Sequence, residues 1–491
     1  MDILAPHEPG RRDVHVRPGF AWREVGVVVA VQVVVLTALS DRYGFHRDEL
    51  YFLAAGDHLA WGYVDQPPLT PLLARVFSAV FGQTPLGIRI AATLLGAATV
   101  VVVALIAREL DGGRGAQVLA AAATALSGFI LGVTHMLSTA TADLLLWVVI
   151  GYFFVRLLRS GDGRWWVPIG AAVGVALTNK WLVPLLLFSL GVSLLSVGPR
   201  RVLWNRWLPV GVLVAGVIVA PVLVWQIRHD LPLVTVAGGI SSADGGENRA
   251  LFVPMQLVYL SPFLVPVWVA GFLRLWRDDR LRAVALGYPV LCAVTLIAGG
   301  KAYYTMALLV VLVAAGAEPA VRWAARRRAW AVSGAVVGAA MSVLISLPVL
   351  PASALGPVLA VNPEAGEQVG WPELTAAVGR VWAGIPLEHR DTAVVFARNY
   401  GQAGAIARYG PENGLPEPYS GHMSYADWGP PPDSMTGPVV VVGNRNPVFT
   451  NCRVVEIHRA PIENEEDGTD IALCSAPTWS KAWPSLRRFY G

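Results

Sequence analysis

The chain is poor in charge. Asp, Glu, Lys and Arg supply 15% of its 491 residues, against roughly 25% in a typical soluble domain, while 55% are hydrophobic. Cysteine is nearly absent, with three in the whole chain, so no disulfide scaffold builds the fold. Lysine is equally rare: Lys180, Lys301 and Lys481 stand among 35 arginines. The net charge of +4 is small, and its arginines are shared among many short loops instead of lining one groove, which argues against nucleic acid as a partner. There is no phosphate-binding glycine loop, no G-x-G-x-x-G opening a βαβ unit and no H-E-x-x-H. ATPase, dinucleotide and zinc-protease mechanisms therefore lack their usual support.

What the chain has instead is apolar blocks of about 16 to 22 residues, repeated from residue 22 to residue 348, which excludes a soluble globular enzyme. Eleven membrane spans are expected, at 22–40, 86–107, 116–133, 137–157, 165–178, 181–196, 206–225, 253–273, 281–299, 302–317 and 329–347. No small-residue cleavage site closes the first run, which reads as a retained helix and not as a removed signal peptide. Basic residues alternate between the gaps. With a cytoplasmic N-terminus, 20 of the 38 fall in inner loops, from Arg11, Arg12, Arg17 and Arg23 to Arg322, Arg326, Arg327 and Arg328, and 8 in longer outer segments. That asymmetry predicts a multi-pass plasma-membrane protein with its N-terminus inside and its C-terminus outside.

Unusual chemistry gathers on the predicted outer face. Segment 41–85 is the first long outer loop, and its two amphipathic stretches, 47–60 and 69–81, are expected to lie as helices along the membrane interface. Asp48 and Glu49 open the first stretch, where carboxylates either complement the helix dipole or do chemistry. Asp65 and Gln66 precede Pro67 and Pro68 in a rigid acidic turn. Asp143 is the odd residue of the fourth span, with His135 just above it. A carboxylate at that depth is costly unless it faces a polar cavity or a partner, which makes it a functional candidate. Lys180 in TNKW and Lys301 in GGKAYY fall at outer helix boundaries. A compact ammonium there suits a phosphate at the lipid interface, or anchors the helix by snorkelling. Tyr303 and Tyr304 read as interfacial-belt residues or as the lining of a sugar or phosphate site, and Arg228 is a further outer cation.

Beyond about residue 350 the sequence turns polar, with helix expected at 371–383 and 401–409 and strands at 392–397, 438–442 and 453–458. This divides the chain into a transmembrane domain, 1–348, which includes the 41–85 loop, and a small extracytoplasmic α/β domain, 349–491. Cys452 and Cys474 lie in the latter, where an oxidising exterior would let them pair; Cys292, inside an apolar run, reads as a packing residue. The stretch YSGHMSYADWGPPP clusters aromatics around His422, as a lid or carbohydrate contact or as a packed surface loop.

Four segments carry a family resemblance: HRDELYFLAAGDHLAWGYVDQPPL, HMLSTATADLLLW, GGKAYY and NYGQAGAIARYGPENGLPEPYSGHMSYADWGPPP. They resemble the family 39 type membrane glycosyltransferases, the group related to protein O-mannosyltransferases and to the aminoarabinose transferases of lipid A, in the form of its actinobacterial members. The resemblance implies a polytopic α-helical GT-C fold, with two interfacial helices in the first outer loop. It also implies sugar transfer from a polyprenyl monophosphate carrier to an envelope lipid, glycan or protein acceptor at the outer face. On this resemblance the family's acidic pair falls on Asp48 and Glu49, with Asp48 as the catalytic carboxylate, the fourth-span acid on Asp143 and the phosphate-facing lysine on Lys301. One position departs: the aminoarabinose branch has Lys before the proline pair, and this chain has Gln66. A carrier phosphate would then be met by Lys301, Lys180, Arg228 or a divalent metal, with Asp48, Glu49 and His46 as candidate ligands.

The chemistry is coherent. A phosphate leaving group needs little acid assistance when cations meet its developing charge, while an acceptor hydroxyl benefits from a carboxylate base. An inverting transfer of the EC 2.4 class, with Asp48 as base, is therefore expected. The competing class is a transporter or flippase of a lipid-linked substrate, which would share buried Asp and Lys but commonly shows matched halves, and no internal duplication is visible.

Overall fold

The computed structural model describes residues 17–443 and 446–489; Arg11 and Arg12, counted above among the inner basic residues, lie outside them. The helical part runs α1 (Trp22–Leu39), α2 (Arg47–Asp57), α3 (Leu69–Phe81), α4 (Pro85–Glu109), α5 (Arg114–Ala125), α6 (Gly128–His135), α7 (Thr139–Ser160), α8 (Trp166–Leu177), α9 (Val183–Val197), α10 (Trp207–Arg228), α11 (Pro232–Ala243), α12 (Gly245–Val258), α13 (Val265–Arg277), α14 (Arg282–Ile297), α15 (Met306–Arg326) and α16 (Arg328–Ser346).

Among the described residues, six helices are long and apolar enough to cross a membrane: α1, α4, α7, α10, α15 with its lead-in turn (Ala302–Arg326), and α16. Two bent pairs, α5 with α6 at 62° and α12 with the segment Pro262–Arg277 at 69°, raise the number to eight if each is one span. The expectation of eleven is thus corrected to six to eight. Hydropathy counts apolar residues but does not see where a helix breaks. The 253–273 run bends where Ser261 takes a φ of 131° ahead of Pro262. The 116–133 run bends at Leu126–Ser127. Runs 165–178, 181–196 and 281–299 give helices of 12, 15 and 16 residues, roughly 18–24 Å at 1.5 Å per residue, short of a core of roughly 30 Å.

Burial separates an inner column from an outer ring. The apolar window of α15 is 72% buried and that of α7 61%, whereas those of α10 and α16 are 17% and 11%. Val212, Leu213 and Val217 of α10 and Trp330 and Val336 of α16 are exposed, as lipid-facing side chains are. Helices α13 and α15 approach most closely at Gly271 and Gly316, where a Cβ would come within 1.8 Å of the carbonyl oxygens of Leu312 and Val267.

After α16 follow α17 (Gly356–Leu359), α18 (Trp371–Ala383), α19 (Leu387–Arg390), β1 (Val394–Ala397), α20 (Tyr400–Tyr409), β2 (Tyr419–Ser420), β3 (Val439–Val442), β4 (Thr450–Ile457), β5 (Asp470–Ser475) and α21 (Trp479–Leu486). One sheet has the order β2-β1-β3-β5-β4, parallel across β2-β1-β3 and antiparallel from β3 to β4. The expected helices and strands of this region form; α17, α19, β2, β5 and α21 are additional. Cys452 and Cys474 form the expected disulfide, which ties β4 to β5. The sheet and the first outer loop share a single apolar core: Phe45, Leu50, Tyr51, Val64 and Ile88 pack with Trp371, Leu374, Val395 and Ile406. Burying these faces together clamps α2 between the bundle and the sheet.

Candidate active site

The start of α2 sets the geometry. His46 is its N-cap: Nδ1 accepts from the Asp48 N–H at 3.1 Å, and the His46 N–H donates to Glu49 Oε2 at 2.9 Å. The helix then turns two consecutive acids to different sides. Glu49 points inward and is fully buried with Arg89, whose Nη2 lies 2.7 Å from Oε2 and whose Nε donates to Oε1 at 2.9 Å. The Leu137 N–H donates to Oε1 at 2.9 Å, and Arg89 also donates to the carbonyls of Gly44 and Ser40. Burial raises the pKa of Glu49, but Arg89 and the two backbone donors outweigh it and the pKa is lowered. Both oxygens are occupied, so the carboxylate named as half of a catalytic pair is placed as a structural anchor.

Asp48 faces the other way, 36% exposed. Its Oδ1 accepts from the Tyr400 hydroxyl at 2.8 Å. The Tyr400 ring lies 4.9 Å from Tyr51 and 5.2 Å from His422. Tyr51 donates to Asp65 Oδ1 at 2.7 Å, so the two loop acids are joined through a pair of tyrosines. Burial pushes Asp65 up to about 6, opposed in part by the Tyr51 hydrogen bond. Burial, with Arg488, Arg47 and Arg398, holds His422 down to about 3. Neutral His422 accepts from the Tyr400 N–H at Nδ1, 3.3 Å, which leaves the proton on Nε2, a buried atom without a partner. Gln66, 2% exposed, has neither amide atom bonded.

A second group lies within the bundle. Lys180 Nζ donates to the Tyr303 hydroxyl at 3.1 Å and sits 5.3 Å from the ring centres of Tyr303 and Tyr304. Asp143 is within electrostatic reach of Lys180, and its buried Oδ1 has no hydrogen-bond partner. Asp143, Trp147, Tyr303 and Tyr304 line a cavity of about 20 Å³, room for a water molecule. Lys180 is held at the break between α8 and α9 by its neighbour Asn179, which donates to the Thr139 carbonyl at 2.7 Å and accepts from Thr70 at 2.8 Å.

Glu364 bridges the two groups. His46 Nε2 lies 3.1 Å from Glu364 Oε2, and Lys301 is within electrostatic reach of the same carboxylate. The His46 hydrogen bond, helped by the charges of His46, Lys301 and Arg47, holds Glu364 to about 2 although its side chain is 59% exposed. Burial disfavours protonated His46, but Glu364 and the charges of Asp48 and Glu49 raise its pKa. Sequence reasoning missed Glu364, Arg89, Tyr51 and Tyr400. Tyr51 and Tyr400 had a signal, as aromatics within the segments HRDELYFLAAGD and NYGQAG.

The remaining candidates lie outside both groups. His135 contacts the Leu39 carbonyl at 3.2 Å behind the Glu49–Arg89 pair, and Arg228 is exposed at the end of α10. Among the described residues no three His, Cys, Asp or Glu side chains are grouped to hold a metal ion, and Glu49 has no oxygen to spare beside His46 and Asp48.

Residues 65–225 match the family model described as dolichyl-phosphate-mannose-protein mannosyltransferase. The chain is 27% identical over 283 residues to the lipid A galacturonosyltransferase RgtD of Rhizobium johnstonii, covering 55% of this chain and 58% of that protein, little more than half its length. ArnT from Cupriavidus metallidurans superposes in its apo state with a TM-score of 0.61 at 15% identity, over 93% of this chain and 98% of that one. Its complex with undecaprenyl phosphate gives 0.59 at 17% identity, over 92% and 98%. At such identities the likeness establishes architecture: the chain is a multi-pass membrane protein with a polytopic GT-C-like fold and a small C-terminal sheet.

Proposed function

We propose that the chain is a family 39 type glycosyltransferase, in its actinobacterial form, that moves a sugar from a polyprenyl monophosphate carrier to an envelope lipid, glycan or protein acceptor. The observation that carries this reading is Asp48: partly exposed, fixed by Tyr400 through one oxygen and beside His46, whose partner Glu364 is an anion within electrostatic reach of Lys301. In the proposed step Asp48 takes the proton of the acceptor hydroxyl, and that oxygen attacks the anomeric carbon. The bond from the anomeric carbon to the phosphate oxygen breaks, and the electron pair leaves with the polyprenyl phosphate, whose charge Lys301 meets. One displacement inverts the anomeric centre. Glu49 supports this arrangement only by positioning α2.

The reading places the N-terminus inside and residues 349–491 outside. The Cys452–Cys474 disulfide, which suits an oxidising compartment, supports placing that region outside. Transfer of radiolabelled sugar from purified polyprenyl phosphate donor tests the proposal. Asp48→Asn is expected to lower turnover by about 10²–10⁴-fold, the usual contribution of a general base. Unchanged transfer would remove Asp48 from the mechanism.

A further inference from the structure

On the face of α2 turned away from Asp48 lies a cavity of about 240 Å³ that the proposed transfer does not use. Leu50, Leu53, Ala54 and Asp57 reach it in the i, i+3, i+4, i+7 stripe of one helix face. The opposite wall is aromatic: the rings of Tyr425 and Trp428 are 4.4 Å apart, and His58 stacks on Trp428 at 4.2 Å. Tyr425 is 5% exposed, and its hydroxyl is buried with no hydrogen-bond partner. That hydroxyl is sealed off from solvent, and a polar group of the lining that a ligand can reach is the exposed carboxylate of Glu417.

Apolar ring faces combined with a few polar groups suit a molecule with apolar C–H faces and hydroxyl edges. The volume falls below the roughly 300–1,000 Å³ of pockets for drug-sized ligands, so a single ring fits and a chain of them does not. The cavity adjoins α3: Gln83, two residues past that helix, lines it, and the Gln83 carbonyl accepts from Arg408 of α20 at 3.1 Å. Along α3 the side chains of Leu72, Val76 and Val80 are exposed at a spacing of four, the face that an interfacial helix lays on a membrane. We infer that this cavity is a saccharide subsite, separate from the reaction centre, that seats one pyranose unit presented at the membrane surface.

The test uses the purified full-length protein in a detergent without a sugar headgroup. Methyl glycosides of glucose, mannose, galactose and N-acetylglucosamine are titrated by saturation-transfer NMR, and their octyl counterparts are titrated below their micelle concentrations. At least one methyl glycoside is expected to bind. Glu417→Gln, which keeps the size of the side chain and removes its charge, should weaken binding at least tenfold without lowering the melting temperature. An octyl glycoside at least tenfold tighter than its methyl form identifies a membrane-anchored sugar, and equal binding identifies a soluble glycan; the subsite stands in both cases. Absence of binding by any glycoside, or binding indifferent to Glu417→Gln, overturns it. Asp48→Asn should leave this binding intact, so the subsite and the transfer reaction fail independently.

Discussion

One helix turn sets two adjacent carboxylates in opposite surroundings, Asp48 partly exposed and Glu49 buried against Arg89. Breaking a buried ion pair from one side typically costs about 3–5 kcal/mol, so Glu49→Gln is expected to lower the melting temperature of the solubilised protein sharply. Asp48→Asn, which keeps an oxygen for Tyr400 to donate to, should melt near the wild type. Equal melting of the two variants would contradict the assignment. A pH dependence follows from His46 and Glu364. The contribution of Glu364 is present above its unfolded value of 4.5 and is lost as pH falls toward about 2. That of His46 is present below its unfolded 6.5 and is lost as pH rises through its raised folded value. The pair therefore stabilises most between about 4.5 and 6.5. Melting profiles against pH should flatten across that window in Glu364→Gln. Asp48, Asp65, Asp143, Lys180 and Lys301 could be picked out of the sequence as chemically unusual residues at one membrane face. What they bond to could not be read there. Arg89 sits in an apolar helix far along the chain and meets Glu49 only through tertiary packing, and Glu364 lies in a turn without periodicity.

At the scale of elements, apolar periodicity located helices well and their breaks poorly. The segment 137–157 and helix α7 nearly coincide, because a single uninterrupted helix follows its hydropathy. The bend after Val258 depends on backbone angles at Ser261, which composition does not encode. Strand β5 escaped notice because it follows an acidic stretch and alternates weakly, and it forms by pairing with both β3 and β4. Helix contacts made through glycine are equally silent in hydropathy. At Gly316 any side chain meets the Val267 carbonyl, so Gly316→Val should separate α13 from α15 and destabilise the bundle by about 1–3 kcal/mol, the usual cost of overpacking. A melting temperature unchanged from the wild type would show that the two helices have room to move apart.

For the whole molecule, the proposed orientation requires an odd number of crossings, which the range of six to eight allows. Epitope tags at the two termini of the protein in intact cells should be protected at the N-terminus and protease-accessible at the C-terminus; protection of both would reverse the proposed placement of the sheet. The hydrogen bond from Tyr400 to Asp48 joins residues 352 positions apart, and the apolar core shared by α2 and the sheet spans a similar distance. Ribosomes add about 5–20 residues per second, so the first half of this site waits on the order of tens of seconds for the second. During that interval α2 has been made, but its covering surface has not. A nascent chain paused in the membrane would thus hold an acid with no tyrosine to orient it, and only the completed C-terminal region brings Tyr400 to Asp48.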